Sequence, residues 1–131
     1  MRAMVAALLA LASCLVLASC GGGEDGSVAM TGHRFDPESM TVQAGDPIEF
    51  HNDSSEAHSV TAYGDSLPRG AVYFATGGAE SEKRARADIS AGLLQQGEKF
   101  DLTLETPGTY RYFCLPHESD GMTGIIVVNA K

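Results

Sequence analysis

Tyr110-Arg111-Tyr112-Phe113-Cys114-Leu115-Pro116-His117-Glu118-Ser119-Asp120-Gly121-Met122 is the stretch on which the reading of this chain turns. Tyr110 and Tyr112 alternate with Arg111, which predicts a strand ending at Cys114. A thiolate, an imidazole and a thioether then fall within nine residues, at Cys114, His117 and Met122. Those are the soft and borderline ligand types that suit copper. A strand end holds the cysteine backbone still. The following loop is narrowed by Pro116 and turned by Gly121 before Met122. Two histidines and a cysteine in a plane, with a weak axial methionine, describe a blue-copper electron-transfer site. His58, far upstream, supplies the second histidine, so the site needs the whole fold to form.

Most of the chain shares this strand-like period. Met40-Thr41-Val42-Gln43 alternates and meets the turn Ala44-Gly45-Asp46-Pro47; Ile48 to Asn52 alternates again. Ser59 to Tyr63 is β-rich, Phe100 to Leu104 alternates, and Gly124 to Val128 reads as a buried closing strand. Short strands separated by turn signals predict a β-sandwich or Greek-key barrel. Ala79 to Asp88 is the exception, with good helix formers and no β-branched run, and predicts one short surface helix. No internal repeat is present.

The N-terminus stands apart. Arg2 precedes an apolar run over 3–18, too short for a comfortable span, which reads as a secretory signal. It ends in Leu17-Ala18-Ser19-Cys20, which resembles the bacterial lipoprotein cleavage box and implies lipidation of Cys20; an ordinary signal-peptidase site is the alternative. Gly21-Gly22-Gly23-Glu24-Asp25-Gly26-Ser27 is a flexible tether. The expected organisation is a signal over 1–19, a lipidated cysteine and tether over 20–29, and a folded domain over 30–131. The product is exported and anchored to a membrane, facing the periplasm or the exterior.

Removal of Cys14 and lipidation of Cys20 leave Cys114 as the lone exported thiol. Alone it reads as a buried, inert cysteine; beside His117 and Met122 it reads as a ligand of a mononuclear site. All 17 acidic residues follow position 20, against 8 Lys and Arg, which leaves that part near −9. Nucleic acid is excluded by the lack of a basic footprint. A cationic redox protein fits as partner, and plain solubility is the other reading of the charge.

The Cys-x-x-His-x-x-x-x-Met spacing after a Tyr-Arg-Tyr-Phe strand resembles the plastocyanin and pseudoazurin branch of the cupredoxins. So do Glu105 to Tyr110 before that strand, the run from Phe50 through His58-Ser59-Val60, and Val42 to Asp46. The similarity covers the folded domain. It implies an eight-strand Greek-key sandwich, one type 1 copper bound by His58, Cys114, His117 and Met122, and single-electron shuttling between larger redox proteins. Membrane-tethered halocyanins share the broad design. Two departures stand out. The family often places Asn after its first ligand histidine to tie the ligand loops together; Ser59 is shorter. Phe113 stands where plant plastocyanins carry a tyrosine serving a second electron surface, so neither that route nor a photosynthetic role carries over.

His117, on the loop, is expected to present the solvent edge through which electrons pass. His33 and His51 read as surface or half-buried side chains, and Met30 and Met40 as packing. Zinc would accept Cys and two His, but a thioether suits it poorly. Copper delivery is the competing function. Copper chaperones favour Cys-x-x-Cys or exposed Met and His clusters, and the sequence has none. Multicopper oxidases need His-x-His pairs, also absent, so a monomeric carrier rather than an enzyme is expected.

Overall fold

A computed structural model describes residues 26–131. Eight strands form two sheets: β1 (Ser27–Thr31), β2 (Arg34–Asp36), β3 (Ser39–Gln43), β4 (Pro47–Asn52), β5 (Thr61–Ala62), β6 (Lys99–Thr103), β7 (Gly108–Phe113) and β8 (Thr123–Asn129). One sheet runs β2-β1-β4-β6 and the other β3-β8-β7-β5. β1 lies parallel to β4 and β3 parallel to β8, and the remaining pairs are antiparallel. The expected all-β sandwich is therefore the observed fold.

Alternation drives the assembly. Val28 and Met30, Met40 and Val42, Ile48 and Phe50, Tyr110 and Tyr112, and Ile126 and Val128 point inward from their strands and close one core between the sheets. Phe35, Phe50 and Tyr112 meet edge to face, with centroids 4.7 to 6.2 Å apart.

The structure extends the sequence reading in three places. β1 begins at Ser27, inside the stretch assigned to a tether, so residues 27–29 belong to the sheet rather than to the linker. β2 is too short, at three residues, to show a period of its own. The β-rich run from Ser59 to Tyr63 pairs regularly only at Thr61 and Ala62. The expected helix is present as α1 (Glu82–Ala87); Ser81 caps it by accepting the Arg84 N–H at 3.3 Å, and Ala85 is its buried contact. The signal segment, Cys20 and most of the Gly-rich run lie outside the described residues. Among the described residues, no helix is long and apolar enough to cross a membrane.

Candidate metal centre

Three elements converge at one end of the sandwich. Cys114 follows β7 directly, fully buried. His58, also fully buried, is held by reciprocal backbone bonds with Leu94: His58 N–H to Leu94 O at 3.1 Å and Leu94 N–H to His58 O at 2.7 Å. His117 sits half-buried in the loop between β7 and β8. That loop is closed at its base. The Cys114 N–H donates to Met122 O at 3.0 Å and the Met122 N–H to His117 O at 3.2 Å. Gly121 takes φ +81°, a left-handed turn that brings buried Met122 back beside Cys114.

Both imidazoles present Nδ1 to the thiol. Cys114 Sγ lies 3.6 Å from His58 Nδ1 and 3.5 Å from His117 Nδ1, and ligand atoms of all three residues lie within 4.8 Å of one another. One ion bonded to sulfur at roughly 2.3 Å and to nitrogen at roughly 2.05 Å, with about 110–120° between the bonds, sets those atoms roughly 3.5–3.8 Å apart. The observed spacing therefore fits a single ion shared by the three. A buried thiol, two nitrogens and a neighbouring thioether suit copper better than zinc.

Burial acts on the protonation of His58 and Cys114 in opposite senses for metal binding. Burial, and then the neighbouring His117, hold the His58 pKa below its usual value, so its ring is neutral and able to ligate. Burial pushes the Cys114 thiol up, while bonds from Ser59 and His117 pull partly the other way. Without a cation the sulfur therefore keeps its proton.

Comparison with known proteins agrees with this geometry. The family model described as "Copper binding proteins, plastocyanin/azurin family" matches residues 22–129. The chain is 35% identical over 108 residues to plastocyanin of Solanum tuberosum, spanning 82% of this chain and 95% of that protein. It is 37% identical over 135 residues to the chloroplastic plastocyanin of Fritillaria agrestis, covering 98% of this chain and 73% of the relative. The chain belongs to the plastocyanin/azurin family of copper-binding proteins. Among solved structures, a mutant fern plastocyanin superposes with a TM-score of 0.57 at 26% identity, covering 79% of this chain and 99% of that one. A copper-containing nitrite reductase from Thermus scotoductus superposes at 0.59 and 25% identity, but only 22% of that larger chain is involved. As a plastocyanin-like member of this family, the protein is a blue copper electron carrier, with copper as its cofactor.

Within the plastocyanin/azurin frame, the doubtful position resolves clearly. Ser59, short as it is, ties the two ligand loops together. Its Oγ accepts the Leu115 N–H at 2.7 Å and lies 3.1 Å from Thr61 Oγ1, while its own N–H donates to Cys114 Sγ at 3.3 Å. Phe113 is fully buried, with Tyr63 at 4.4 Å and the Arg86 guanidinium 4.4 Å over its ring, so it offers no aromatic surface.

Other residues of the site escaped the sequence reading. Ser54 Oγ lies 2.7 Å from His58 Nε2 and donates to Asn52 Oδ1 at 3.1 Å; buried Asn52 in turn donates to the Glu56 and Leu94 carbonyls. With Nδ1 turned to the sulfur, Nε2 carries the proton and donates to Ser54, which orients the ring. The polar turn after Asn52, with Ser54 four residues before His58, is the one sequence signal of this support. His33 carried no such signal. Its ring stacks on His117 with centroids 4.0 Å apart at 22°, and Glu56 and Asp120 hold its two nitrogens at 2.9 and 3.1 Å. One face of His117, the residue expected to present an edge to solvent, is thus covered by a second imidazole. His51 stays away from the site, between Ser27 and Asp53.

Proposed function

We propose that His58, Cys114 and His117 hold one copper ion as equatorial ligands, with Met122 as the weak axial ligand. The observation that carries this reading is the spacing of Cys114 Sγ at 3.5 and 3.6 Å from two histidine Nδ1 atoms, with Cys114 and His58 fully buried and His117 half-buried. Copper supplies a single-electron couple between Cu(I) and Cu(II). The chain supplies everything else. Ser59 and its own N–H steady the sulfur, Ser54 orients His58, and the β7–β8 loop sets His117 and Met122 from one rigid frame. A site held this way changes little between oxidation states, which keeps electron exchange fast.

Electrons pass at the His117 end, through or around the His33 ring that covers it. Glu56 and Asp120 flank that ring, and the chain carries a formal net charge of −8, so the partner's docking face is cationic. The carrier acts on a membrane surface, through lipid on Cys20 and the Gly-rich tether, outside the cytoplasm. It transfers electrons and does not itself catalyse a reaction.

Replacing Cys114 with Ser tests the centre: copper-loaded wild type is intensely coloured by thiolate-to-copper charge transfer, and Cys114→Ser is colourless. A variant that stays blue removes Cys114 from the site. Fractionation tests the anchor, because Cys20→Ala should move the protein from membranes into the soluble fraction; continued membrane association refutes lipidation there.

A further inference from the structure

We propose that Arg86 of α1 is a positioning residue for the metal centre, clamping the β7–β8 loop and the end of β7 onto one guanidinium. The inference rests on the copper site assigned above.

Its geometry is unusually complete for a surface cation. Arg86 Nη1 donates to Glu118 Oε2 at 2.6 Å and Nη2 to Glu118 Oε1 at 3.0 Å, a two-point planar pairing. On the other edge, Nε and Nη2 donate to Glu82 Oε1 at 2.9 and 2.7 Å. The face of the same guanidinium lies 4.4 Å over the Phe113 ring. The partners are themselves fixed. Tyr63 Oη donates to Glu118 Oε1 at 2.9 Å, and Glu82 Oε2 accepts the Gly64 N–H at 2.8 Å.

What this cation touches gives it a role. Glu118 directly follows His117, and Phe113 directly precedes Cys114. One planar group therefore braces side chains adjoining two ligands. Within the loop over 115–121, Glu118 and Asp120 are the side chains that form salt bridges to other parts of the fold among the described residues. Asp120 reaches His33, an exposed side chain in the turn between β1 and β2, whereas Glu118 reaches an arginine fixed on both edges and one face. An isolated exposed ion pair contributes little. A fork-to-fork pairing also sets orientation, which a lysine ammonium cannot do. Orientation is what an electron carrier needs from the loop that holds two of its ligands.

The experiment uses the full chain, copper-loaded and metal-free, with Arg86→Ala, Arg86→Lys, Glu118→Gln and a control, Lys99→Ala, which removes a different ion pair, Lys99 to Glu49 at 2.9 Å. Arg86→Ala and Glu118→Gln should release Cu(I) to a chelator about tenfold faster than wild type, as loss of a two-point charge-assisted pairing implies. They should also alter the Cu(II) hyperfine splitting and speed amide exchange at Gly121 and Met122 in the metal-free protein. Arg86→Lys, with charge but no fork, should recover less than half of the wild-type retention. Lys99→Ala should leave all three readouts unchanged. If Arg86→Ala and Glu118→Gln lower only thermal stability and match Lys99→Ala in release, spectrum and exchange, Arg86 merely fastens α1 and the proposal fails. Should Arg86→Ala not fold, Glu118→Gln decides alone. A wild type that takes up no copper sinks the copper reading instead, and amide exchange at Gly121 and Met122 still tests the clamp.

Discussion

Met122 and Ser59 show how single side chains divide the work of this site. Met122 is fully buried and joined to Cys114 and His117 through backbone bonds, so its position survives changes to its side chain. In the proposed axial position its thioether would donate weakly to Cu(II). Met122→Leu should keep the copper and the colour while raising the reduction potential, because Cu(II) loses a donor. A redox titration showing no change or a fall removes Met122 from the axial role. Ser59 acts on the frame instead. Ser59→Ala leaves the half-buried Leu115 N–H without its partner, and should cost about 1 kcal/mol of stability. Chemical denaturation of the metal-free protein measures it, and an unchanged midpoint means that Leu115 finds another acceptor.

At the scale of elements, the β7–β8 hairpin carries the site and its register is tightly constrained. Tyr112 pairs with Gly124, and a Cβ at Gly124 would meet the Tyr112 ring. Gly124 therefore leaves space for a core aromatic directly behind the loop. Gly124→Ala should destabilise by about 1–3 kcal/mol, because the fully buried tyrosine has nowhere to move. It should also broaden the copper spectrum by displacing the strand that ends in Cys114. Wild-type stability in this variant would show that the hairpin yields more easily than its packing indicates. The short helix α1 braces the same hairpin from outside, through Arg86, so a segment with little core of its own contributes to the rigidity of the centre.

Across the whole molecule, proton and metal binding are linked. His58 has its pKa lowered mainly by burial, so the unfolded chain takes up a proton below about 6.5 that the folded chain refuses. The metal-free protein should lose stability as pH falls through that range. The Glu118 pKa, lowered first by its bond from Arg86, adds a further loss below the ordinary carboxylate range. Thermal unfolding at a series of pH values follows both steps, and His58→Gln should flatten the first. Copper uptake near neutral pH should release about one proton, from Cys114, since His58 is already neutral there. Release of two or more would mean that a histidine of the site is charged in the metal-free protein.

The sequence by itself determined the fold class, the ligand types and their spacing. Alternating strands and a Cys-x-x-His-x-x-x-x-Met loop are local patterns, and chemistry restricts what such a ligand set can hold. It also singled out His58 as the second histidine of the proposed set, from the Cys, His and Met pattern downstream and the β-rich stretch from Ser59 to Tyr63. Only the tertiary structure decided what surrounds those ligands. His33 lies 84 positions before His117 and stacks on it because the turn between β1 and β2 meets the β7–β8 loop at the same end of the sandwich. Arg86 reads as one of several charges on a solvated helix until Glu118 and Phe113 are placed beneath it. Ser59 appears too short for its task until Leu115 is brought to within 2.7 Å of its hydroxyl. Ligands are specified by residue type, which is written along the chain. Their supports are specified by distance between segments remote in sequence, and folding sets that distance.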